Sequence, residues 1–334
     1  MNKQNINVTR KARSAVPGVI MSVVLTGGLA AGTQGAWAGN GHKYCSATAK
    51  AAFRACENEV TDDYWIAQAI CINVSDDGDR AECEADAREA KEEDKELCSE
   101  QRDARMELCS LVGEERYDPD FDPTSFVDPD AIGDTVAANP YFPLIPGTTW
   151  VYEGGDETIT VVVTDKTKLI DGVTCRVVND VVEDDGEVIE DTDDWYAQHV
   201  NGDVWYCGEL ARDFETFEGD NPDDPELVEI EGSFKAGRDG DKPGILMPAV
   251  PQVGDVYRQE VSLGNAEDAA EVISLSGTEM VPAAECNNDC LITRDFTPLE
   301  PGIEEYKYHA PGVGMILEVD MEGNRVELVE VTTP

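Results

Sequence analysis

The sequence predicts an α+β protein: a disulfide-stapled antiparallel helical hairpin followed by an antiparallel β-meander domain, built as a curved sheet, half-barrel or sandwich. Three observations predict it. Six cysteines occupy positions whose numbers pair to one constant sum. The stretch around them, residues 39–116, is rich in Ala, Glu, Asp and Arg and contains no proline. After residue 138 the chain turns to Val, Thr, Ile and aromatic residues broken by glycine turns. With 334 residues, 41% of them hydrophobic, there is ample material for packed cores. Asp and Glu number 70 against 25 Lys and Arg, a net charge of −45. That balance excludes direct nucleic-acid binding, which needs clustered bases against the phosphate backbone.

The first element is an export signal. Lys3, Arg10, Lys11 and Arg13 precede an apolar stretch from Val16 to Ala31, and Ala36-Trp37-Ala38 supplies a small-x-small cleavage site. Pro17 and Gly27-Gly28 interrupt the stretch, which is short for a membrane span. Residues 1–38 therefore read as a signal peptide, with no transmembrane segment after cleavage. No cysteine lies beside the cleavage site, which argues against a lipid-anchored form. Cleavage removes four bases and no acid and leaves −49. Export, to the periplasm or outside the cell, means an oxidising compartment, so the ten cysteines are expected as five disulfides.

Residues 39–116 form the second element. Cys45 and Cys109, Cys56 and Cys98, and Cys71 and Cys83 each have position numbers adding to 154. An antiparallel hairpin requires such a constant, because each position faces its mirror image across one turn. The turn centre falls within Ser75-Asp76-Asp77-Gly78-Asp79, the one turn-forming cluster of the region. Steps of 11 to 15 residues between cysteines are near whole helical turns, which sets the sulfurs of each arm along one stripe. The arms hold 20 acids, 10 bases and few large apolar residues, so three disulfide rungs stand in for a thin core.

The turn also overlays a calcium-loop template with Asn73, Ser75, Asp77, Asp79 and Glu84 as ligands. Calcium is thus the one cofactor the sequence leaves open. Asn at the first position, Arg80 in the loop and a Cys71–Cys83 bond that would hold the helix ends together weigh against it. Zinc is not expected, because no Cys-x-x-Cys pair occurs.

Residues 117–138 carry six Asp and three Pro with no base. Like charge and proline keep such a segment extended, and it reads as a spacer. The last element, 139–334, shows eleven strand patterns: 148–153, 158–164, 173–182, 188–196, 204–208, 256–261, 271–275, 291–294, 304–308, 315–319 and 326–331. Asp171-Gly172, Asp185-Gly186, Asn201-Gly202 and Gly323-Asn324 are two-residue hairpin signals. With tight turns at 185–186 and 201–202, Tyr196 faces both Cys175 and Cys207, and Trp195, Ala197, Val204 and Tyr206 share a core face. Cys175 and Cys207 then stand two strands apart, about 9.6 Å, beyond disulfide reach. Each is expected to reach Cys286 or Cys290; a local Cys286–Cys290 loop is the alternative.

The segments Pro146–Glu153, Asp194–Gln198, Val204–Glu209 and Ala310–Gly314 resemble a group of exported bacterial β-sheet proteins without an assigned activity. The likeness covers about 139–334 and implies location and fold only; the hairpin is not part of it.

Catalytic signals are sparse. His42, His199 and His309 are far apart and read as surface or sheet-edge residues, and no serine-hydrolase, zincin or phosphate-loop motif occurs. The leading expectation is a non-catalytic exported module that is structural or binds another exported protein. A carrier of a lipid or other apolar ligand in the β domain comes second, and a secreted hydrolase third.

Overall fold

A computed structural model describes residues 43–217, 219–222 and 224–334. The signal peptide, the cleavage site and His42 lie outside the described residues. The chain divides into two compact units, one ending at Arg116 and one running Tyr117–Pro334.

The first unit is the expected hairpin: α1 (Tyr44–Ile72) and α2 (Asp77–Val112) run antiparallel. Asp76 caps α2, its carboxylate accepting the backbone N–H groups of Gly78 and Asp79. Gly113, at φ +91°, ends it. The constant-sum pairing holds at all three rungs: Cys45–Cys109, Cys56–Cys98 and Cys71–Cys83, with Cα atoms 5.6, 5.8 and 5.6 Å apart. Small residues make that approach possible. Ala49, Ala67 and Ala87 are buried in the seam beside the sulfurs. At the open end, Glu114 O and Oε2 accept from the Tyr44 and Ser46 amides, at 3.0 and 2.9 Å, which satisfies the start of α1.

The second unit is an antiparallel sheet, nearly closed and barrel-shaped. Its strands are β1 (Thr149–Gly154), β2 (Glu157–Ile170), β3 (Val173–Asp184), β4 (Glu187–Gln198), β5 (Val204–Leu210), β6 (Asp213–Glu215), β7 (Glu226–Glu229), β8 (Phe234–Lys235), β9 (Lys242–Met247), β10 (Val256–Arg258), β11 (Glu260–Val261), β12 (Ala269–Val281), β13 (Ala284–Phe296), β14 (Glu304–Ala310), β15 (Gly314–Asp320) and β16 (Arg325–Thr332). The spatial order is β10-β12-β13-β14-β15-β16-β1-β2-β3-β4-β5-β9-β11. The two ends of that order, β10 and β11, are joined by the single residue Gln259. One extended segment therefore pairs with β12 on one side and β9 on the other, and this closes the ring.

All eleven predicted strand patterns are strands here; β6 to β9 are additional. Asp171-Gly172 and Asp185-Gly186 are tight two-residue turns with both residues at positive φ. The other two hairpin signals lie in five-residue loops, because Gln198 pairs with Val204 and Val319 with Arg325.

A bulge at Ile189 and the five-residue loop 199–203, which pairs Tyr196 with Tyr206, correct the expected register, and a second bulge follows at Cys207. Ile189 is an extra residue between Glu183↔Val188 and Val182↔Glu190. Cys207 is an extra residue between Tyr196↔Tyr206 and Trp195↔Gly208. Trp195 and Ala197 consequently point to one side of the sheet with Cys175 and Cys207, while Tyr196, Val204 and Tyr206 point to the other. The expected single core face is thus divided between two clusters.

The cysteine expectation for this unit is corrected as well. Cys175 bonds Cys207, and Cys286 bonds Cys290. The β3–β4 ladder ends at Arg176 and the bulge lifts Cys207 out of the β4–β5 ladder. Cys175 thus lies beyond the β3–β4 ladder and Cys207 outside the β4–β5 one, and their Cα atoms are 6.9 Å apart.

The larger cluster draws on strands all round the ring, including Trp150, Val163, Val178, Val204, Leu291, Ile316 and Leu328, which identifies it as the barrel interior. The smaller one lies outside, covered by the segment expected as a spacer. That segment is folded. Phe121 and Phe126 pack on the cluster of Cys175, Trp195 and Cys207. Val127 N donates to Gln198 O, and Val200 N donates to Ser125 O. Asp130 ion-pairs at 2.7 Å with Arg176, which is fully buried. Proline did not keep the chain extended, because Pro123 and Pro129 open 3-10 turns capped by Asp122 and Asp128.

Candidate functional site

Much of the barrel interior is filled by its own side chains. Leu144, Val163, Leu291, Ile316, Leu317 and Leu328 have no solvent exposure. The part that is not filled is polar. A chamber of about 230 Å³ is lined by Asp180 from β3, Glu190, Thr192, Asp194 and Tyr196 from β4, Tyr206 and Glu209 from β5, Leu246 from β9, Glu260 from β11, and Gln259, Asp268 and Lys307. Strand alternation explains the column on β4. Residues 190, 192, 194 and 196 share one face, and that face looks inward. Glu209 joins Tyr206 on this wall because the extra residue at Cys207 resets the alternation. Gly208 permits the bend: at φ +133°, an added Cβ would stand 2.3 Å from the Phe234 carbonyl oxygen.

The lining holds six carboxylates and one lysine. Lys307 lies 3.8, 3.6 and 3.4 Å from Asp295, Glu305 and Glu318. Burial alone would push its ammonium down, but those three carboxylates outweigh burial and hold it well above the ordinary lysine range. Lys307 pulls Glu305 down, yet burial with Glu318 and Asp295 nearby leaves that carboxyl raised.

Two of the chamber carboxyls are raised by burial. Burial, with Glu190 next, pushes Asp180 up to about 7. Burial and then Glu209 and Asp180 raise Asp194 well above the carboxylate range. Tyr206 and Tyr196, stacked with ring centroids 4.6 Å apart, are driven up by burial and then by Asp194. Two carboxylate oxygens in this region, Asp180 Oδ1 and Asp295 Oδ1, are buried with no hydrogen-bond donor. Asp295 is 8% exposed, and its other oxygen accepts from Gln259 Nε2 at 3.2 Å on the chamber wall. A second concavity, near Asn201, Asp203, Pro248, Val250 and Tyr257, is a groove on the surface.

None of the calcium candidates, histidines or cysteines singled out in the sequence lies in the chamber, although Tyr196 and Tyr206 do. The calcium candidates, which the sequence left open but weighed against, sit at the hairpin turn. α2 already begins at Asp77, so Asp77, Asp79 and Glu84 stand on a helix that cannot wrap a cation. Asn73 donates to Ala69 O at 2.8 Å, and Asp77 pairs with Arg80. Ser75 lies between the helices. Among the described residues no three His, Cys, Asp or Glu converge as metal ligands. His199 is in a loop as expected, but His309 is not at a sheet edge. It is buried on β14 between β13 and β15, and burial takes its imidazole down to about 4. The chamber residues could not be nominated from sequence because 70 acids make close pairs common. The only signal was the inward alternation of Glu190, Asp194 and Tyr196 on one strand.

No protein-family model matches the chain, and no curated protein matches it. Among solved structures, a provisionally named lipoprotein from Parabacteroides distasonis matches with a TM-score of 0.32 and 13% identity, covering 59% of this chain and 100% of that one. Likeness at that level carries no argument. No helix among the described residues is long and apolar enough to cross a membrane.

Proposed function

We propose that the protein is a non-catalytic exported binding module whose β unit takes a small organic cation with more than one amine in the acidic chamber. One observation carries this reading: six carboxylates face a single lysine inside the barrel, and Asp180 keeps a buried oxygen with no donor. Carboxylates buried together must either hold protons or receive a cation, since their mutual repulsion is poorly screened there. Amine N–H groups would donate to those oxygens. The carboxylates are spread over β3, β4, β5, β11 and the turn before β12, a spacing that fits an extended polyamine better than one compact ion.

The other expectations are weighed on the same interior. A lipid carrier needs an apolar cavity, whereas the apolar part of this barrel is filled and the open part is acidic. The non-catalytic reading rests on the sequence, which has no catalytic motif. Export to the periplasm or beyond is supported by the basic-apolar start of the chain and by five disulfides.

Calorimetric titration with spermidine at pH 8 and low salt tests the proposal, with calcium chloride and palmitate as parallel titrants. Saturable one-to-one binding of spermidine is expected, weakened at least tenfold in Asp194→Asn/Glu209→Gln protein of unchanged circular dichroism. At a free concentration a hundred times its Kd, spermidine should add about 2.7 kcal/mol to stability. Absence of binding, weak multi-site binding indifferent to the substitutions, or preferential uptake of palmitate overturns it.

A further inference from the structure

The face of α1 turned away from α2 carries a second site, in the hairpin and independent of the chamber. The disulfide seam occupies one side of α1, where Val60, Ala67 and Cys71 are buried. At 100° per residue the opposite side brings Trp65, Ile66, Ala69 and Ile72 together, with Ile70 at its margin. These large side chains are open to water: Trp65 is 64% exposed, Ile66 54%, Ile70 42% and Ile72 72%. Scattered exposed apolar residues are ordinary, but a run over two turns with a tryptophan at its head marks an interaction surface. Its surroundings state what would cover it. Residues 57–79 contain seven Asp or Glu and no Lys or Arg. An anionic membrane and a second copy of this acidic chain would both be repelled, so the complement is positively charged.

We infer that this face docks a basic protein segment bearing apolar anchor side chains, the anchors covering Trp65 and Ile66 while its Lys or Arg groups meet the flanking carboxylates. The surface is ready-made. Cys71–Cys83, with Cys71 fully buried, locks the end of α1 to the start of α2, and Lys91 sits 3.9 Å over the Tyr64 ring beside Trp65. A rigid receptor loses little entropy on binding, which favours recognition of a flexible segment.

The test uses the mature protein with its disulfides intact and a labelled 14-residue Leu/Lys amphipathic peptide, followed by fluorescence anisotropy. Saturable binding is expected that weakens at least tenfold in Trp65→Ser/Ile66→Ser protein and severalfold in Asp62→Asn/Asp63→Asn protein, with a Glu-for-Lys peptide not bound. Asp62, Trp65 and Ile66 are exposed and Asp63 is half-buried, so folding should be unchanged by circular dichroism. Peptide affinity unaltered by Trp65→Ser/Ile66→Ser overturns the inference. So does binding of phosphatidylglycerol vesicles, or dimerisation in sedimentation, that is lost in the same variant, since either would assign the face to another occupant.

Discussion

Tyr206 donates its phenolic hydrogen to Asp194 Oδ1 on the neighbouring strand, and its oxygen also lies 2.9 Å from Glu209 Oε2. One hydroxyl carries one hydrogen and cannot serve two carboxylates. The second hydrogen must come from the carboxyl side, where burial and then Glu209 raise Asp194 well above the carboxylate range. Burial thus raises Asp180 to about 7 and Asp194 well above the carboxylate range, and a cation bound there competes with their protons.

The first prediction follows from Asp180. A carboxyl whose folded-state pKa is near 7, against about 4 unfolded, binds its proton more tightly in the native state. Its contribution to stability is fully present below pH 4 and is lost as pH rises towards 7. His309 acts in the opposite sense: pushed down to about 4, it gives stability above pH 6.5 that is lost as pH falls through 4. Comparing Asp180→Asn with the parent cancels the histidine. The two proteins should have similar urea midpoints at pH 4.5, and the variant should become the more stable by a few kcal/mol at pH 8. A constant difference across that range would show that Asp180 titrates normally.

Spermidine binding should carry the same signature. A protonated Asp180 gives an amine nothing to attract, so affinity should rise from pH 6 to pH 8 in the parent. In Asp180→Asn protein that rise should be reduced, as read by calorimetry. Proton release on binding, detected as a dependence of the heat on buffer ionisation enthalpy, checks the same point independently.

Lys307 gives a third outcome. It is the base among Asp295, Glu305 and Glu318, and Lys307→Met leaves those carboxylates facing one another. Removing one partner of a buried ionic cluster is destabilising, here by about 2–4 kcal/mol near pH 7.5. The loss should shrink as pH falls and Glu305, already raised, takes up a proton. Urea unfolding followed through tryptophan fluorescence in a Trp65→Phe background reports the β unit alone.

The hairpin was legible in the sequence because helix period and disulfide geometry are both rigid. Three cysteine pairs sharing one sum admit a single antiparallel register, and Asp76 and Gly78 stand where the turn must be. The strands were legible too, but their register was not. Bulges at Ile189 and Cys207 each insert one residue, and one residue moves every later side chain to the other face. The five-residue loop 199–203 pairs Tyr206 with Tyr196, so Trp195 and Tyr206 lie on opposite faces where a two-residue turn would set them on one. Nothing local in Val-Ile-Glu or Tyr-Cys-Gly signals a bulge. The segment 117–138 misled for a different reason: Asp-Pro pairs read as spacer, yet the same Asp residues cap short turns that set Phe121 and Phe126 against the sheet.

That folded segment supplies the fourth prediction. Arg176 has no exposure, with Asp165 O at 3.1 Å and Asp130 Oδ1 at 2.7 Å, whereas the Asp130 side chain is 80% exposed. The two ends of this pair should therefore differ. Arg176→Ala removes a fully buried side chain and strands the carbonyl of Asp165, and should cost about 3–5 kcal/mol. Asp130→Ala removes a carboxylate already bathed in water, and about 0.5–1 kcal/mol is expected. Equal losses would mean that the pair, rather than the packing of the arginine stem, holds residues 117–138 to the barrel.

The disulfides of the β unit give the last prediction. Cys175 and Cys207 belong to strands on either side of β4, and their bond closes a loop of 32 residues that contains all of that strand. Constraining a loop of this size in the unfolded chain is worth about 3–4 kcal/mol in the entropy model. The Cys286–Cys290 bond closes only 4 residues, where that model predicts about 2 kcal/mol. Cys175→Ala/Cys207→Ala should thus lower the urea midpoint of the β unit more than Cys286→Ala/Cys290→Ala, and neither should move the hairpin transition. Proteolysis without reduction checks the pairing itself. A peptide joining residues around Cys175 to those around Cys207 is expected, and one joining Cys175 to Cys286 or Cys290 would show that the barrel is stapled across its ring instead of beside β4.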